Sequence, residues 1–541
     1  MKNLFLSILV LAGMITARSQ WNPDTGQNVK VVDTNSEVFG FPTAMSDGKT
    51  YVTYWKKVNA PVNYELWLQI LDQNGNKQLG NNGIMISNQI PMSTYFAVEG
   101  TAIDSSDNLY IGITGTGAGN AGYVFKITPQ GNSVWPNGIM LGEAALPKIL
   151  PLSGGDIMVA YAPITQKYTK VQRFNSNGQA VWQAPVDIKS DDFSKETNPV
   201  GLFKVSDNEY EIIFNQSIGG TNAYLFAQKI NHEGTILWNA PKQVSTKVTS
   251  SVGEYNSIVV DGTTVYCAYI GSDNNALYGY LQKINSDGTL PWGADGVNFT
   301  TDPSNFQLGI KAAMTPGAPH VWAIAHYANS SQNLGGEFVQ KFDKNTGTRL
   351  LTNTAKQIYP IDSSLRHHAG NLYLINDNPF FIIQKNTDPN SNAISLNVVS
   401  LNNSGDFSWA QEHFPMATYP AAKSGITSLA PVNGQNVIVF HEKKASDSEE
   451  SIYAQNFKFS ALNTQETQGN QLSDIIYPNP AKDVISIKGM KDQKYEIYNT
   501  TGQLIQSGNI KGSKISVQNL LKGVYYLKIK DRNHTHTFSK E

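Results

Sequence analysis

Hydrophobic and polar residues alternate with a period of two along most of this chain, and short polar turns interrupt the alternation. The clearest example reads Tyr280-Leu-Gln-Lys-Ile-Asn-Ser-Asp-Gly-Thr-Leu-Pro-Trp292. An alternating run leads there into a tight turn at Gly288, and a second run ends on the tryptophan. Alternation on both sides of a short glycine-containing turn predicts a β-hairpin.

This hairpin recurs along the chain, with its turn glycine as the fixed point. The glycine returns at intervals of 47 to 59 residues, at Gly75, Gly131, Gly178, Gly234, Gly288, Gly347 and Gly405. Four residues later stands Trp135, Trp182, Trp238, Trp292 or Trp409, with leucine instead at Leu79 and Leu351. Six residues before the glycine, four copies carry a glutamine, at Gln69, Gln172, Gln228 and Gln282. Matches at fixed offsets indicate a structural repeat, and we interpret its tryptophans as packing residues.

A second hairpin lies between successive copies of the first. Its turns stand at residues 47–48, 107–108, 154–155, 207–208, 261–262, 316–317, 377–378 and 433–434. Each unit therefore contains four strands in roughly 55 residues, which is typical of a propeller blade. The chain is predicted to be all-β, with an eight-bladed β-propeller.

The two ends of the repeat array complement each other. The eighth unit ends with the strand-like residues 452–459 but lacks the return strand that carries a tryptophan. The segment from Trp21 to residue 32 resembles that return strand. We therefore predict that residues 29–32 pair with residues 452–459 and close the ring, which removes two open strand edges.

The N-terminus has the features of a secretory signal peptide. Lys2 precedes an apolar run over residues 4–15, and small residues follow up to Ser19. A run of this length is too short to span a bilayer, so we predict a signal peptide over residues 1–19, cleaved between Ser19 and Gln20. Residues 20–459 form the predicted propeller domain.

Composition and charge exclude some classes of protein and of partner. Hydrophobic residues make up 40% of the chain and charged residues 16%, which excludes a disordered chain. The single cysteine, Cys267, permits no internal disulfide and is predicted to be a buried packing residue. Residues 20–473 carry a net charge of −9, so nucleic acid is not an expected partner.

The C-terminal region has a composition of its own. Residues 460–473 are polar and predicted to be a linker, and residues 474–541 contain short alternating runs typical of a small β-sandwich. The motif residues are Tyr477, Pro478, Asn479, Pro480, Gly502, Gly523, Tyr525 and Lys540. In their spacing they resemble the type A C-terminal sorting domain of the Bacteroidetes type IX secretion system. The resemblance implies export through the periplasm to the cell surface or the medium, with the secretion machinery as partner.

The Gly-x-x-x-Trp copies are similar to the tryptophan-docking repeats of quinoprotein-like propellers, many of which have eight blades. The resemblance implies that each tryptophan packs between neighbouring blades. Quinone-dependent members also carry adjacent cysteines beneath the cofactor, which Cys267 alone cannot supply. We therefore predict no cofactor.

Histidines are the weak candidates for ligand binding. His320 and His326 share one face of a predicted strand, and His367 and His368 are adjacent in sequence. Adjacent strand residues point to opposite faces, so the pair is not predicted to chelate a metal. No phosphate loop, metalloprotease motif or nucleophile elbow is present in the sequence.

Two functions stay open at this point. The favoured one is a non-catalytic propeller that recognises an extracellular glycan or protein. Its specificity would come from loops that differ between units, such as residues 115–121, 218–223 and 329–336. The alternative is a secreted hydrolase or lyase acting on polysaccharide or peptide through carboxylates in the funnel. Two or more convergent Asp, Glu or His side chains at the funnel would favour catalysis, whereas a funnel lined by amides, hydroxyls and aromatic rings would favour binding.

Overall fold

The structure is a computed structural model of the whole chain. It describes residues 20–541 except 34–36, 60–63, 89–99, 115–120, 164–165, 251–256, 274, 364, 388–391, 446, 448, 460–475, 488–492, 500–502 and 530–534. The chain divides into two compact units, Met1–Phe459 and Ser460–Glu541. The predicted signal peptide and linker lie outside the described residues.

The first unit consists of short antiparallel strands. The first twelve are β1 (Val29–Lys30), β2 (Glu37–Ala44), β3 (Thr50–Lys57), β4 (Tyr64–Leu71), β5 (Ile84–Ser87), β6 (Gly100–Ile103), β7 (Leu109–Thr114), β8 (Ala121–Ile127), β9 (Ile139–Pro151), β10 (Ile157–Pro163), β11 (Thr169–Phe174) and β12 (Val186–Ile188). One turn of 3-10 helix, Ser153–Gly155, follows β9. No α-helix occurs among the described residues.

The remaining strands of this unit continue the same pattern. They are β13 (Thr197–Lys204), β14 (Glu209–Gly219), β15 (Asn222–Asn231), β16 (Lys242–Gln243), β17 (Thr249–Ser250), β18 (Ser257–Asp261), β19 (Thr264–Asp273), β20 (Ala276–Ile284), β21 (Val297–Asn298), β22 (Phe306–Ala313), β23 (His320–Ala328), β24 (Gly335–Asp343), β25 (Lys356–Asp362), β26 (Leu365–Ile375), β27 (Asn378–Asn386), β28 (Ile394–Ser400), β29 (Phe414–Ala417), β30 (Lys423–Ser428), β31 (Gln435–Glu442) and β32 (Ser451–Lys458).

Consecutive strands pair into four-strand ladders, as the two alternating hairpins predict. Five ladders have the orders β2-β3-β4-β5, β13-β14-β15-β16, β18-β19-β20-β21, β22-β23-β24-β25 and β26-β27-β28-β29. The exception is β6–β12, a single sheet in which β9 pairs with β8 through its first residues and with β10 through its last. Because β9 runs through two ladders, the number of separate blades, eight, stays a prediction.

The ends of the repeat array meet in one ladder, of order β1-β32-β31-β30. Val29 pairs with Ala454 and Lys30 with Tyr453, so the predicted pairing of the terminal segments is present. Strand β2 contacts β30, β31 and β32, which brings the first ladder against the last. A closed succession of antiparallel ladders is the arrangement of a β-propeller.

The core of the propeller lies between neighbouring ladders. One cluster joins Trp55 and Leu68 of the first ladder to Ile111 and Phe125 of the next, and similar clusters recur around the unit. Successive residues of a strand point to opposite faces, so each middle strand buries side chains against both of its neighbours. This explains why most residues in the second strand of each ladder are buried.

The second unit is a small sandwich of two sheets. Its strands are β33 (Ile476–Tyr477), β34 (Val484–Ile487), β35 (Lys494–Asn499), β36 (Leu504–Asn509), β37 (Lys514–Ser516), β38 (Gly523–Ile529) and β39 (Thr535–Lys540). The sheet orders are β33-β34-β37 and β36-β35-β38-β39, around a common apolar core that includes Ile485, Ile497 and Leu527. The described part of the chain contains no helix that is long and apolar enough to cross a membrane.

Candidate functional site

The repeated glycine turn receives the tryptophan of the preceding ladder. The Trp292 indole N–H donates to the carbonyl of Asn345, two residues before Gly347, and the ring lies against that glycine. The same bond joins Trp21 to Gln73, Trp135 to Ser176, Trp182 to His232 and Trp238 to Ser286. Leu79 and Leu351 lie against Gly131 and Gly405, and Trp409 packs on Phe457. These contacts link neighbouring ladders around the propeller, and we call this side of the ladders the turn end.

A buried glutamine holds several of these segments to their own ladders. Gln282 donates to the carbonyl of Gly293, one residue beyond the tryptophan, and accepts from the N–H of Lys283. Gln340 and Gln455 make equivalent bonds, although neither stands six residues before a turn glycine. The turn after Gln340 is one residue longer, which shifts the offset from six to seven. The structural register therefore extends this motif beyond the four copies visible in the sequence.

The opposite side of the ladders, which we call the cavity end, holds two cavities beside the β19–β20 hairpin. The first has a volume of about 380 Å³. Its walls come from three ladders, and its lining residues are Thr221, Asn222, Val248, Thr249, Ser250, Ile270, Ser272, Leu277, Leu308 and Gln332. Aliphatic side chains supply the apolar part of the lining, and hydroxyls and amides supply the polar part. Among the described residues that line it, none is acidic, basic or histidine.

Local sequence explains how this cavity forms. Gly219 and Gly220 both adopt positive φ at the tip of the β14–β15 hairpin, which carries Thr221 and Asn222 into the lining. Strand β17 pairs with the start of β15, and the N–H of Ser272 donates to the carbonyl of Val248 over 2.7 Å. Backbone bonds therefore fix the walls on two sides.

Two of the three variable loops contribute to this lining. Thr221 and Asn222 belong to the segment 218–223, and Gln332 belongs to 329–336. The third segment, residues 115–121, lies almost wholly outside the described residues. The structure thus brings together two loops that are more than 100 residues apart in sequence.

The second cavity, of about 450 Å³, lies next to the same hairpin. Its lining residues are Asp273, Tyr278, Tyr280, Asn298, Thr300, Thr301, Asp302, Pro303 and Arg349. Asp273 forms an ion pair with Lys247 at 2.7 Å, and the guanidinium of Arg349 donates to the carbonyl of Asn298 at 2.5 Å. Hydrogen bonds from Ser304 hold the pKa of Asp302 below its ordinary value. This cavity combines aromatic rings with both signs of charge.

The two histidines of β23 lie at opposite ends of that strand. His320 Nε2 lies 2.8 Å from a carboxylate oxygen of Asp377 in the neighbouring ladder, and burial together with the charge of Lys341 lowers the histidine pKa. His326 Nδ1 lies 3.5 Å from Glu337. Six residues of strand separate the rings by roughly 20 Å, so they do not form one site. Both histidines are buried, His320 beside Asp377 and His326 beside Glu337.

His367 and His368 lie in β26, and their side chains are outside what the structure describes. Among the described residues no group of three or more His, Cys, Asp or Glu side chains is placed to hold a metal ion. Cys267 is fully buried between two ladders, and burial raises the pKa of its thiol.

Two buried glutamates differ sharply in their surroundings. Glu442 forms an ion pair with Lys423 at 3.0 Å, and the ammonium also donates to the carbonyls of Ile394 and Tyr419. Glu211 is fully buried at the turn end of β14, and neither of its carboxylate oxygens has a hydrogen-bond partner among the residues that the structure describes. Burial raises the pKa of Glu211 to about 8, only partly offset by the charge of Lys229.

The predicted sorting motif lies in the second unit. Tyr477 is exposed, while Tyr525 is buried and its hydroxyl donates to the carbonyl of Leu521. Gly523 pairs with Lys540 at the start of β38, and the side chain of Asn479 accepts from the N–H of Ser539. Pro478 and Pro480 follow cis peptide bonds. Gly502 lies outside the described residues.

Likeness to solved structures is weak. A polysaccharide lyase, described as an ulvan lyase of a new family, has 11% identity and a TM-score of 0.44, covering 79% of this chain and 94% of that one. A protein of unknown function from Dyadobacter fermentans has 12% identity and a TM-score of 0.35, covering 59% and 95%. An α-L-arabinofuranosidase from Fusarium graminearum has 9% identity and a TM-score of 0.30, covering 59% and 94%. No curated protein matches the chain.

The comparison with protein families is more specific. Residues 475–540 match the model of the secretion system C-terminal sorting domain. This match covers the seven strands of the small sandwich and the motif residues named above. The second unit is thus a C-terminal sorting domain, and it directs the protein through the type IX secretion system to the cell surface or the extracellular space.

Proposed function

We propose that the propeller is a non-catalytic recognition domain that binds a neutral polar ligand, an extracellular glycan or a peptide segment, in the first cavity. The observation that carries this proposal is the lining of that cavity. Hydroxyl and amide side chains stand there beside aliphatic ones, and none of the lining residues that the structure describes has an ionisable side chain.

Such a lining suits a ligand that is polar but uncharged. Sugar hydroxyls and peptide groups donate and accept hydrogen bonds, as Asn222, Ser272 and Gln332 do. The apolar faces of sugar rings and side chains match Ile270, Leu277 and Leu308. A volume of about 380 Å³ lies within the usual range for small-ligand sites.

The rigidity of the site also favours recognition. The described cavity walls lie on paired strands of three ladders, from which hairpin tips and one loop project. Specific loops on a rigid scaffold are the usual arrangement for binding surfaces. Walls that are already formed lower the entropic cost of binding.

The second candidate, a hydrolase or lyase, draws support from the second cavity. Asp273 and Asp302 both line it, and two carboxylates are the usual catalytic pair of glycosidases. That chemistry requires one carboxyl with a raised pKa as proton donor. Asp302 shows the opposite shift, and Asp273 is paired with Lys247. Binding therefore remains the favoured function.

An array of neutral oligosaccharides, acidic oligosaccharides and peptides, probed with the secreted protein, tests this proposal. We expect a subset of neutral ligands to bind, and we expect Asn222→Ala and Gln332→Ala each to weaken that binding about tenfold. Asn132→Ala, which removes an exposed amide far along the sequence from either cavity, serves as the matched control.

Two results would contradict the proposal. One is a ligand whose affinity is unchanged in the Asn222→Ala, Gln332→Ala double variant. The other is the release of shortened products from the array ligands, with loss of that release in Asp302→Asn, which would favour the hydrolase or lyase instead.

A further inference from the structure

Large apolar side chains are exposed unevenly in this protein. Fifteen of them are exposed among the described residues, and seven of these lie in the sorting domain, although that domain is far smaller than the propeller. The seven are Tyr477, Val484, Leu504, Ile505, Leu521, Val524 and Tyr526. Single exposed apolar residues are ordinary, whereas a group of them on one surface marks an interaction site.

Three of these side chains share one face of the sheet β36-β35-β38-β39. Tyr498 of β35 pairs with Leu504 of β36 on one side and with Tyr526 of β38 on the other. Paired residues lie on the same face, as do residues two apart in a strand, so Val524 joins them. We call Tyr498, Leu504, Val524 and Tyr526 the sorting patch.

Folding of the sorting domain does not account for the sorting patch. The alternate residues of the same strands, including Ile497, Tyr525 and Leu527, point to the other face and are buried in the domain core. Leu504, Val524 and Tyr526 keep 48%, 43% and 39% of their surface exposed. Apolar side chains thus occupy both faces of this sheet, although among the described residues a core covers one face alone.

Positive charge borders the sorting patch. Lys528 follows Tyr526 by two residues, and Lys494 precedes Tyr498 by four, so both lie on the same face. Glu496 is the acidic residue between them, and its carboxylate accepts from the Tyr498 hydroxyl over 2.7 Å. Residues 474–541 as a whole carry eleven Lys and Arg against six Asp and Glu.

We propose that the sorting patch is the surface by which a protein component of the type IX secretion machinery binds this domain. The partner surface is an apolar one bordered by acidic side chains. Because the domain is a sorting domain, its partner is expected in the secretion machinery. Because lysine is in excess in this domain, the border of the partner surface is expected to be acidic. An apolar centre supplies affinity, while the complementary charges select the partner and speed its approach. This inference is independent of the ligand proposed for the propeller.

Export of the full-length protein from its native host tests the sorting patch. We expect Tyr526→Ser to lower the secreted fraction about tenfold, because truncation of a central aromatic residue usually has the largest effect on an interface. The precursor should accumulate in the periplasm. Lys528→Glu should lower secretion less, and Lys528→Arg should restore it. Phe193→Ser, at a propeller residue that is 63% exposed, is the matched control and should leave secretion unchanged.

Stability and self-association measurements separate the alternatives. The purified Tyr526→Ser protein should melt at the temperature of the unaltered protein, and if it does not, Leu504→Thr on the neighbouring strand decides the question in its place. Undiminished secretion of both variants would overturn the proposal. So would a purified wild-type protein that dimerises and a Tyr526→Ser variant that is monomeric, because the patch would then join two copies of this chain.

Discussion

The two ends of the propeller ladders differ in how regularly their contacts repeat. At the turn end, the same tryptophan or leucine and the same glycine meet in ladder after ladder, and the contacts bury apolar surface between neighbours. At the cavity end, the hairpins differ in length and composition, and their irregularity leaves two cavities beside the β19–β20 hairpin. The difference teaches that repetition along this chain follows the packing, whereas the proposed ligand contacts depend on what is not repeated.

Removing a tryptophan of the turn end should have the largest effect on stability. Trp292→Ala deletes a buried ring that packs against Tyr266 and Gly347, and we expect the free energy of unfolding to fall by about 3–5 kcal/mol. Trp292→Leu should cost less, because leucine occupies the equivalent position at Leu79 and Leu351. Urea unfolding measures both. A loss below that of an exposed control such as Phe193→Ala would show that the repeat does not hold the ladders together.

Substitution of the glycine that contacts the tryptophan should have the second-largest effect on stability. Gly75 has a φ of +82°, and an added Cβ would lie 2.7 Å from the ring of Trp21. Gly262 also has positive φ, but its Cβ would meet nothing within 4 Å. We expect Gly262→Ala to cost roughly 1–2 kcal/mol from the backbone alone, and Gly75→Ala to cost about 1–3 kcal/mol more. Equal losses of stability in the two variants, measured by thermal unfolding, would show that the contact with Trp21 adds no steric cost at Gly75.

Glu211 offers a test that depends on pH. Its pKa is raised to about 8 in the folded state, so folding retains a proton that the unfolded chain loses above its ordinary pKa near 4.5. Stability should therefore decrease as pH rises from about 5 to 8, and the penalty should be complete above pH 8. Glu211→Gln should flatten this slope and stabilise the protein at pH 8 by on the order of 1–3 kcal/mol.

Urea unfolding at pH 5, 6.5 and 8 gives that measurement. Glu209→Gln is a suitable comparison, because Glu209 lies two residues away on the same strand, keeps 39% of its side chain exposed and pairs with Lys229. An identical pH slope in the Glu211→Gln variant and the unaltered protein would show that this carboxyl does not titrate with folding.

The smallest effect on stability should come from the cavity end. Asn222 is exposed at a hairpin tip, so Asn222→Ala should change the free energy of unfolding by less than about 0.5 kcal/mol while it weakens ligand binding. A large loss of stability would mean that the cavity loops also support the ladders. The two ends would then not be separable.

Sequence patterns predict the repeat well because a turn glycine and a buried tryptophan are required at fixed places. They predict the pairing of β1 with β32 for the same reason, since Trp21 completes a motif that lacks its last strand. The sequence pattern of a glutamine six residues before the turn glycine misses Gln340, because a single extra turn residue moves the glycine by one place. The continuous strand β9 was also not expected, because no turn signal distinguishes one long strand from two short ones.

The candidate site was only partly predictable. Loop variability pointed to the segments around Asn222 and Gln332, but their convergence on one cavity depends on ladders that are distant in sequence. The histidines attracted attention through their chemistry, yet the structure places His320 and His326 at separate ends of a buried strand. Alternation in a sequence tells which residues share a strand face and leaves open what lies opposite that face.

The pairing of Val29 with Ala454 joins segments that leave the ribosome at nearly opposite ends of synthesis. Every other ladder can assemble from strands that are neighbours in the chain, whereas this one must wait for its last strand. The closing ladder therefore forms only in a chain that has been synthesised at least through β32. A chain that stops early, or that loses β32 to a protease, keeps most of its local hairpins but exposes the open edges of an unfinished ring, which are the features that cellular proteases and chaperones recognise.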